Sequence, residues 1–334
     1  MKKVLVVGAG GFAGGFIVEE GLKRGYEVYA GVRESTLRKF LDSPEIKFVT
    51  FDFENPESLG ETLSEAMPGE EKWDWIVYNL GATKAISFSA FSKVNYEYLR
   101  SFLEALKATG KVPEKFLLMS SLSVHGDTHE KDGGKFRETD IPRPNTRYGA
   151  SKLKAEILLQ SEGIPYIIFR PTGIYGPRDK DYYLMLKTIS KGFDFSAGYK
   201  KQLLTFIYVE DLARAVYDAL EKAPVGNIYI ISENKGYTQK EFRKLASHAL
   251  GKKGVLSVPL PLWAVKAVSG IAEKWGVARM KPSTLNSDKY KIMKQRNWDA
   301  DISKAQKDFG FTPKVSLEEG LNHAVDWYKK EGWL

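Results

Sequence analysis

Residues 146–156 read T-R-Y-G-A-S-K-L-K-A-E and place a tyrosine and a lysine four residues apart. On a helix this spacing puts Tyr148 and Lys152 on one face. The phenol has an ordinary pKa of about 10, and a nearby ammonium favours the phenolate and lowers that pKa. Such a tyrosine accepts a proton from a secondary alcohol as hydride leaves, or returns it to a ketone. The alternative is an ordinary helix start with a surface lysine, because this pair is common by chance.

A serine precedes this pair at the end of a strand-like run. Ser121 follows the apolar residues 116–120. Its hydroxyl would hydrogen-bond the same substrate oxygen and stabilise the charge that develops there. Ser121, Tyr148 and Lys152 are therefore the predicted catalytic residues.

A glycine-rich turn near the N-terminus is typical of phosphate binding. V-L-V-V-G-A-G-G-F-A-G at 4–14 follows an apolar strand and precedes a helical pattern, which is the context that a dinucleotide-binding turn requires. Two registers fit, one through Gly8, Gly10 and Ala13 and the other through Gly8, Gly11 and Gly14. Either lets backbone N–H groups approach a pyrophosphate at the positive end of the helix. No Gly-Lys-Ser/Thr follows, which argues against a nucleoside-triphosphate loop. The predicted phosphate-binding residues are Gly8, Gly10, Gly11, Phe12, Ala13 and Gly14.

The end of the second strand bears on the choice of cofactor. In NAD-binding sheets a carboxylate here binds the adenosine 2′-hydroxyl. This chain has Gly31 near that position and Arg33 two residues later. A glycine leaves room for a 2′-phosphate and a guanidinium suits it, so NADP is favoured over NAD. The alternative is that Arg33 stacks on the adenine or faces solvent.

The elements around these motifs predict a doubly wound α/β fold. Apolar strand-like runs at 4–7, 28–32, 46–51, 75–79, 116–120 and 166–169 alternate with helical patterns near 12–24, 56–66, 88–109 and 147–161. Continuous apolar strands separated by helices indicate a parallel sheet covered on both faces, with ligands at the carboxyl ends of its strands.

The alternation weakens after Pro171. Residues 178–203 form an irregular segment, 204–209 and 227–231 are strand-like, and the tail from about 233 is mostly helical. We expect a Rossmann dinucleotide-binding domain of residues 1–177 with about 204–232. A smaller, mostly helical C-terminal substrate lobe would comprise 178–203 and 233–334.

Composition excludes several classes of site. The chain has no cysteine, so disulfides, thiolate nucleophiles and cysteine-ligated metals are absent, and its four histidines show no metal-ligand spacing. The net charge is +8, and residues 251–334 hold 15 Lys and Arg against 9 Asp and Glu. This balance suits an anionic ligand or a solvated surface. No basic block with interleaved aromatics predicts a nucleic-acid partner.

The first apolar stretch is broken by five glycines, which argues against a signal peptide or a membrane-spanning helix. A cytoplasmic location is expected. The amphipathic segment 262–275 could contact a membrane or a partner chain, or serve as a lid or core helix.

Together these motifs resemble the extended short-chain dehydrogenase/reductases, the NAD-dependent epimerase/dehydratase group. The resemblance covers nearly the whole chain and is specific for the family but not for the substrate. Besides the glycine turn and Y-G-A-S-K at 148–152, it rests on S-S-L-S-V-H-G at 120–126, R-P-T-G-I-Y-G-P at 170–177 and F-I-Y-V-E-D-L-A-R-A at 206–215.

The resemblance implies an NAD(P)-dependent enzyme acting through a Ser-Tyr-Lys triad at Ser121, Tyr148 and Lys152. Asp52 with Phe53 matches the adenine-contacting position, and the helix asparagine is Asn95. The residues expected to bind the cofactor are Arg33, Asp52, Phe53, Leu80, Gly81, Ala82, Asn95, Tyr148, Lys152 and Pro171. Those expected to face the substrate are Ser123, His125, Tyr175 and Arg178.

Two departures from the family pattern matter. Leu122 and Ser123 stand where the sugar-nucleotide 4,6-dehydratases carry an acidic pair, so dehydration is not expected. His125 replaces the usual tyrosine before Gly126, which either alters the substrate pocket or is a packing substitution.

The predicted reaction is hydride transfer at a secondary alcohol or ketone by a dehydrogenase or reductase. A nucleotide-sugar epimerase with a tightly held cofactor is the alternative, and a non-catalytic dinucleotide sensor is a third. Candidate substrates are a sugar nucleotide or a steroid-like or flavonoid-like alcohol or ketone, since residues 177–186 resemble hydroxysteroid dehydrogenases and dihydroflavonol-type reductases. Dimers are common among relatives, so a homodimer is one candidate assembly.

Overall fold

Seven apolar strands form one parallel sheet in the computed structural model, which describes all 334 residues. Alternate side chains of each strand enter two separate cores: Val4 and Val6 lie in one, while Leu5 and Val7 lie in the other. Both faces are therefore covered, as predicted. In spatial order the strands are β10 (Asn227–Ile231), β6 (Tyr166–Pro171), β5 (Lys115–Met119), β4 (Trp75–Tyr78), β1 (Lys3–Val7), β2 (Glu27–Val32) and β3 (Lys47–Thr50).

Helices cover this sheet in two layers. One core includes side chains of α1 (Phe12–Lys23), α7 (Val209–Lys222) and α11 (Ser303–Phe309). The other includes side chains of α2 (Ser58–Ala66), α4 (Tyr98–Ala108) and α5 (Arg147–Ser161). The doubly wound α/β prediction is confirmed.

The helix predicted at 88–109 is continuous but not uniform. It begins as α3 (Phe88–Ser92), passes through a π-helical turn at Lys93–Glu97 and continues as α4. Single π-helical turns of this kind occur frequently at functional sites. Asn95 lies in the middle of this turn.

The remaining elements form a smaller, mixed region with its own apolar cluster. A three-stranded sheet comprises β7 (Gly173–Tyr175), β9 (Leu203–Tyr208) and β11 (Gly236–Thr238), and β8 (Phe193–Ala197) pairs with β12 (Leu256–Leu260). The helices here are α6 (Asp181–Ser190), α8 (Gln239–Ala249), α9 (Leu262–Ala278), α10 (Ser287–Lys294) and α12 (Leu317–Lys330). None of the helices of the protein combines the length and apolar character needed to cross a bilayer.

Two details of the predicted organisation differ from the structure. Residues 178–203 are not irregular, because they contain α6 and β8, and α6 buries Leu186 and Ile189 at helical spacing. Of the two strands expected in 204–232, only β10 joins the large sheet. Strand β9 pairs instead with β7 and β11. The division into a cofactor domain and a substrate lobe remains a prediction.

Candidate active site

The turn between β1 and α1 requires glycine at two positions. Gly8 has φ +84°, and a Cβ added there would lie 2.8 Å from the backbone nitrogen of Leu80. A Cβ at Gly14 would lie 2.2 Å from the carbonyl oxygen of Gly8. The first turn of α1 therefore packs directly on the glycine turn, which supports the register through Gly8, Gly11 and Gly14.

The N-terminus of α1 is open to an anion. Gly11 occupies the N-cap position with extended backbone, no side chain caps the helix, and its first turn holds no acidic residue. Gly10 and Gly11 are exposed, whereas Ala13 and Gly14 are buried beneath them. Unused N–H donors and the positive end of the helix dipole lie together here, so these residues fit the pyrophosphate of a dinucleotide.

The loop after β2 borders this turn and carries two exposed arginines. Arg33 is exposed and forms no ion pair, and its backbone nitrogen donates to Thr36 Oγ1 at 3.0 Å. A Cβ at Gly10 would touch the Thr36 methyl, so this loop borders the glycine turn. Arg38, which sequence reasoning missed, lies with its guanidinium 4.1 Å from the Phe48 ring centroid. Gly31 is buried against Phe51, so its lack of a side chain reflects packing rather than space for a phosphate.

Asp52 and Phe53, beyond β3, have different environments. Asp52 is exposed and accepts a hydrogen bond from the Glu54 nitrogen at 3.0 Å, so its carboxylate is accessible to a ligand. Phe53 is buried, with its ring centroid 5.3 Å from that of Tyr98 in a stacked arrangement. The Phe53 side chain therefore packs in the core, and a contact of this residue with the cofactor stays a prediction.

Asn95 fixes the backbone after β4. Its Oδ1 accepts from the Ala82 nitrogen at 2.7 Å, and its Nδ2 donates to the Ala82 oxygen at 3.1 Å and to Ser151 Oγ at 2.8 Å. The side chain is buried and all its polar atoms have protein partners. It therefore holds the Leu80–Ala82 segment against α5 and is a positioning residue rather than a direct cofactor ligand.

Close packing brings the predicted catalytic residues together. Ser121 caps the short 3₁₀ turn Leu122–His125 that follows β5. Thr146 caps α5, and a Cβ at Gly149 would lie 2.4 Å from the Ser123 oxygen, so α5 begins in direct contact with that turn. Ser121 consequently lies near enough to Tyr148 to lower the pKa of its phenol.

The pKa of Tyr148 differs from the expectation. Burial raises the pKa of its phenol above the ordinary value, and the neighbouring Ser121 lowers it only in part. Lys152 does not contribute, because its Nζ donates to the Met119 oxygen at 2.8 Å. The prediction that the ammonium lowers the tyrosine pKa is wrong in this structure. Tyr148 is held as a neutral phenol, a proton donor at neutral pH.

Lys152 is a buried cation at the junction of three segments. Burial lowers the pKa of its ammonium to about 8, although the nearby Glu156 carboxylate opposes this shift. A Cβ on Gly81 would lie 3.0 Å from Lys152 Nζ, so the lysine faces the backbone after β4. The cation, the tyrosine and the Leu80–Ala82 segment thus border one site at the carboxyl ends of β4 and β5.

A buried ion pair lies behind the catalytic helix. Glu156, one turn after Lys152, has no exposed surface, and its Oε2 lies 2.6 Å from Arg170 Nη2. It also accepts from Arg170 Nε and from Ser120. Sequence reasoning missed this pair, although Glu156 follows Lys152 at the spacing that keeps both on one helix face.

A residue far along the chain fixes the start of the catalytic helix. Asp288 is buried on α10, and its Oδ2 accepts from the Tyr148 nitrogen at 3.2 Å. Arg147 bonds Asp288 at 3.3 Å and Glu273 of α9 at 2.5 Å. No local pattern indicated Asp288, because its partner lies 140 positions earlier.

The sequence model described as the NAD dependent epimerase/dehydratase family matches residues 4–232. The chain belongs to the NAD-dependent epimerase/dehydratase family. The matched region contains the glycine turn, the 121–125 turn and the start of α5, so the family assignment rests on the elements that build the site.

The relatives of this chain carry names that describe different reactions. A ceramide reductase of Caulobacter vibrioides is 26% identical over 333 residues, covering 99% of this chain and 96% of that protein. A dTDP-glucose 4,6-dehydratase of Neisseria gonorrhoeae is 24% identical over 98% of this chain and 95% of that protein. Family membership is therefore shown, while the reaction differs from one relative to another.

Solved structures of the family share the fold. A dTDP-glucose 4,6-dehydratase of Bacillus anthracis in complex with NAD superposes with a TM-score of 0.78 at 22% identity, covering 100% of this chain and 98% of that chain. A UDP-glucose 4-epimerase of Thermus thermophilus in complex with NAD gives 0.76 at 23% identity, covering 98% and 99%. The Rossmann-type fold is confirmed.

The residues expected to face the substrate are only partly available in this family member. Ser123 is half-buried beside the catalytic turn. His125 is 0% exposed and Tyr175 is 1% exposed, with its hydroxyl donating to the Ser316 oxygen. Arg178 pairs with Glu19 and lies over Phe16 of α1. The assignments of His125 and Tyr175 are corrected to packing roles, whereas Arg178 is half-buried and its contact with substrate stays a prediction. Pro171 is buried at the end of β6.

The burial of His125 has a consequence for pH. Its Nε2 lies 3.1 Å from Arg170 Nη1, and burial together with that guanidinium lowers the pKa of the ring to about 3. The unfolded chain takes up this proton near the ordinary value of 6.5, so the unfolded state binds more protons between pH 6.5 and about 3. The contribution to stability is full above pH 6.5 and is lost as pH falls, by at most about 1.4 kcal/mol per pH unit.

The variant His125→Tyr has no group at this position that titrates between neutral pH and pH 5. We therefore expect its free energy of unfolding to fall less than that of the wild type when the pH is lowered from neutral to about 5. Denaturant titrations at the two pH values measure both slopes. Equal slopes would mean that the folded protein protonates His125, contrary to the structure.

Proposed function

We propose that the chain is an NAD(P)-dependent oxidoreductase that reduces a ketone to a secondary alcohol, and catalyses the reverse oxidation. The observation that carries this proposal is that Ser121 adjoins a half-buried, neutral Tyr148, with the cation Lys152 one helical turn further along α5. Because the tyrosine pKa is raised, the phenol is ready to donate a proton at neutral pH.

A bound nicotinamide dinucleotide would supply the hydride. The chain's own residues prepare the ketone: the Tyr148 phenol donates a proton to its oxygen, and Ser121 hydrogen-bonds the same oxygen as charge develops. Lys152 holds its ammonium between the Met119 carbonyl oxygen and the Leu80–Ala82 segment, where it would offer an N–H donor to the bound dinucleotide. The glycine turn and Asp52 would hold the pyrophosphate and adenosine ends of the dinucleotide.

We further propose that the chain does not dehydrate sugars. Leu122, which directly follows Ser121, is buried, and Ser123 supplies only a hydroxyl. Neither side chain carries the carboxylate that would remove or donate a proton in an elimination step. This part of the proposal rests on Leu122 and Ser123 alone, since named 4,6-dehydratases are among the relatives of the chain.

NADP is the proposed cofactor, with NAD as the alternative. Arg33 and Arg38 are both exposed on the loop after β2, whose Thr36 borders the glycine turn, and Arg33 has no carboxylate partner. A guanidinium free of an ion pair suits a phosphate. The Bacillus anthracis and Thermus thermophilus structures contain NAD, so the preference for NADP rests on these arginines alone.

We expect Arg33→Ala to weaken NADP(H) binding by about 1–3 kcal/mol, the scale of a lost charged hydrogen bond. NAD(H) binding should be nearly unchanged, because NAD lacks the phosphate. Calorimetry with both cofactors measures the difference. Arg100→Ala, which removes an exposed arginine of α4, is the matched control. A wild type that prefers NAD(H) would contradict the prediction.

The competing function is a nucleotide-sugar epimerase with a retained cofactor, favoured by the structural likeness to UDP-glucose 4-epimerase. The experiment is to purify the protein without added cofactor and incubate it with NADPH or NADH and two substrate types. These are a ketone derived from ceramide, chosen for the named reductase relative, and UDP-glucose. Net oxidation of NADPH by the ketone supports the proposal. Inversion of UDP-glucose with stoichiometric cofactor retained through purification contradicts it.

A further inference from the structure

One face of α9 is apolar and has no partner in the fold. Only Val265 and Ser269 of its 17 residues are buried. Trp263 is 75% exposed, Ile271 70% and Trp275 64%, and Met280 follows just beyond the helix. Large apolar side chains that cluster at a surface in this way mark an interaction site.

The spacing places these residues on one side of the helix. Trp263, Ala267, Ile271 and Trp275 recur every four residues, and residues four apart are neighbours on a helix surface. The paired strands β8 and β12 adjoin the start of the helix, since a Cβ on Gly198, just after β8, would lie 3.2 Å from Leu262. The paired strands expose Phe193, Phe195 and Leu256.

The charged side chains around this face that are free to meet a partner are all positive. Lys266, Lys274, Arg279 and Lys281 are exposed, and the same stretch contains one acid, Glu273. Glu273 is already engaged by Arg147 at 2.5 Å and by the Ser287 nitrogen at 3.0 Å. The surface available to a partner is therefore apolar and cationic.

We propose that α9 docks on the surface of an anionic lipid bilayer. The helix would lie in the plane of the membrane, with Trp263, Ile271 and Trp275 among the upper acyl chains. Lys266 and Lys274, which lie beside Trp263 and Ile271 on the same groove, would contact lipid phosphates together with Arg279 and Lys281. Tryptophan suits this boundary because its ring is apolar and its N–H is polar. Helices with aromatic and aliphatic residues on one side and lysines beside them bind at such interfaces.

A second copy of the chain fits this surface less well. Symmetric dimers place the same patch of both subunits face to face, which would bring the four cations of one copy towards those of the other. Lysine is also depleted at protein–protein interfaces. A bilayer rich in anionic headgroups pairs with all four cations and accepts the apolar side chains at the same time.

This proposal does not depend on the reaction that the protein catalyses. The test is co-sedimentation of the full-length protein with vesicles of phosphatidylcholine alone and of phosphatidylcholine with phosphatidylglycerol. We expect binding to the anionic vesicles that added salt weakens. Brominated acyl chains should quench tryptophan fluorescence, which reports insertion in the wild-type protein itself.

Two variants test the apolar and the electrostatic contributions to vesicle binding separately. The triple change Trp263→Ser, Ile271→Ser and Trp275→Ser, and the double change Lys266→Glu and Lys274→Glu, should each reduce binding to anionic vesicles by at least about tenfold. Matched controls are Leu37→Ser and Lys72→Glu, which alter exposed side chains elsewhere and should leave binding unchanged. Thermal melting confirms that every variant is folded.

Three results would overturn the proposal. The first is a wild type that sediments with neither vesicle and shows no quenching. The second is binding that both control variants lose to the same extent. The third is a wild-type dimer that the triple variant converts to a monomer without vesicle binding, which would make this face an interface between copies.

Discussion

Tyr148→Phe should reduce turnover by about 10²–10⁴-fold, the usual contribution of a positioned general acid or base. The change removes only the hydroxyl that adjoins Ser121, and the ring contact with Phe91 is kept. The glycine turn and Asp52 are untouched, so cofactor affinity should not change. Steady-state kinetics on the ketone or alcohol that the protein turns over, with calorimetric titration of the cofactor, measures both effects.

Tyr166→Phe is the matched control for this prediction. It removes the same hydroxyl from a half-buried tyrosine at the start of β6, away from Ser121 and Lys152. Its turnover should equal that of the wild type. Near-normal activity of Tyr148→Phe would remove the tyrosine from the mechanism, and a parallel loss of cofactor binding would assign it to binding instead.

Glu156→Ala should lower the free energy of unfolding by about 3–5 kcal/mol, because it leaves the buried Arg170 guanidinium without its carboxylate. Denaturant titration measures this loss. Glu54→Ala, which breaks an exposed pair with Lys93, is the control and should change stability little.

A double variant distinguishes charge from packing at this pair. Glu156→Met with Arg170→Met replaces both charges by apolar side chains, and it should recover much of the stability lost in Glu156→Ala. A double variant as unstable as the single one would show that the shape of the pair, or its bonds to Ser120 and His125, matters more than charge balance.

The sequence was most informative where a backbone conformation demands a residue type. Gly8 is needed for a positive φ and Gly14 for a close helix contact, and the spacing of the two glycines in the sequence predicts both requirements. The spacing of Tyr148 and Lys152 likewise predicted a shared helix face. The same spacing could not predict the tyrosine pKa, since that depends on where the lysine side chain ends: Nζ bonds Met119 rather than approaching the phenol.

The position of a residue within a family motif also did not show which way its side chain points. His125 and Tyr175 lie within motifs that border the site, but both point into the core, against Phe136 and Phe206 respectively. Asp288 had no local signal at all. Its role arises only when α10 meets the start of α5, a contact between distant parts of the chain.

The contacts that α9 and α10 make with the first turn of α5 limit how this protein can be re-engineered. Asp288 and Glu273 lie beyond residue 232, where the family match ends, yet they hold the backbone of Tyr148 and the side chain of Arg147. The C-terminal region is therefore not an interchangeable specificity module. A chimera that grafts this region from another family member would bring different side chains to the backbone of Tyr148. If Tyr148 acts as proposed, its substrate preference and catalytic rate would change together.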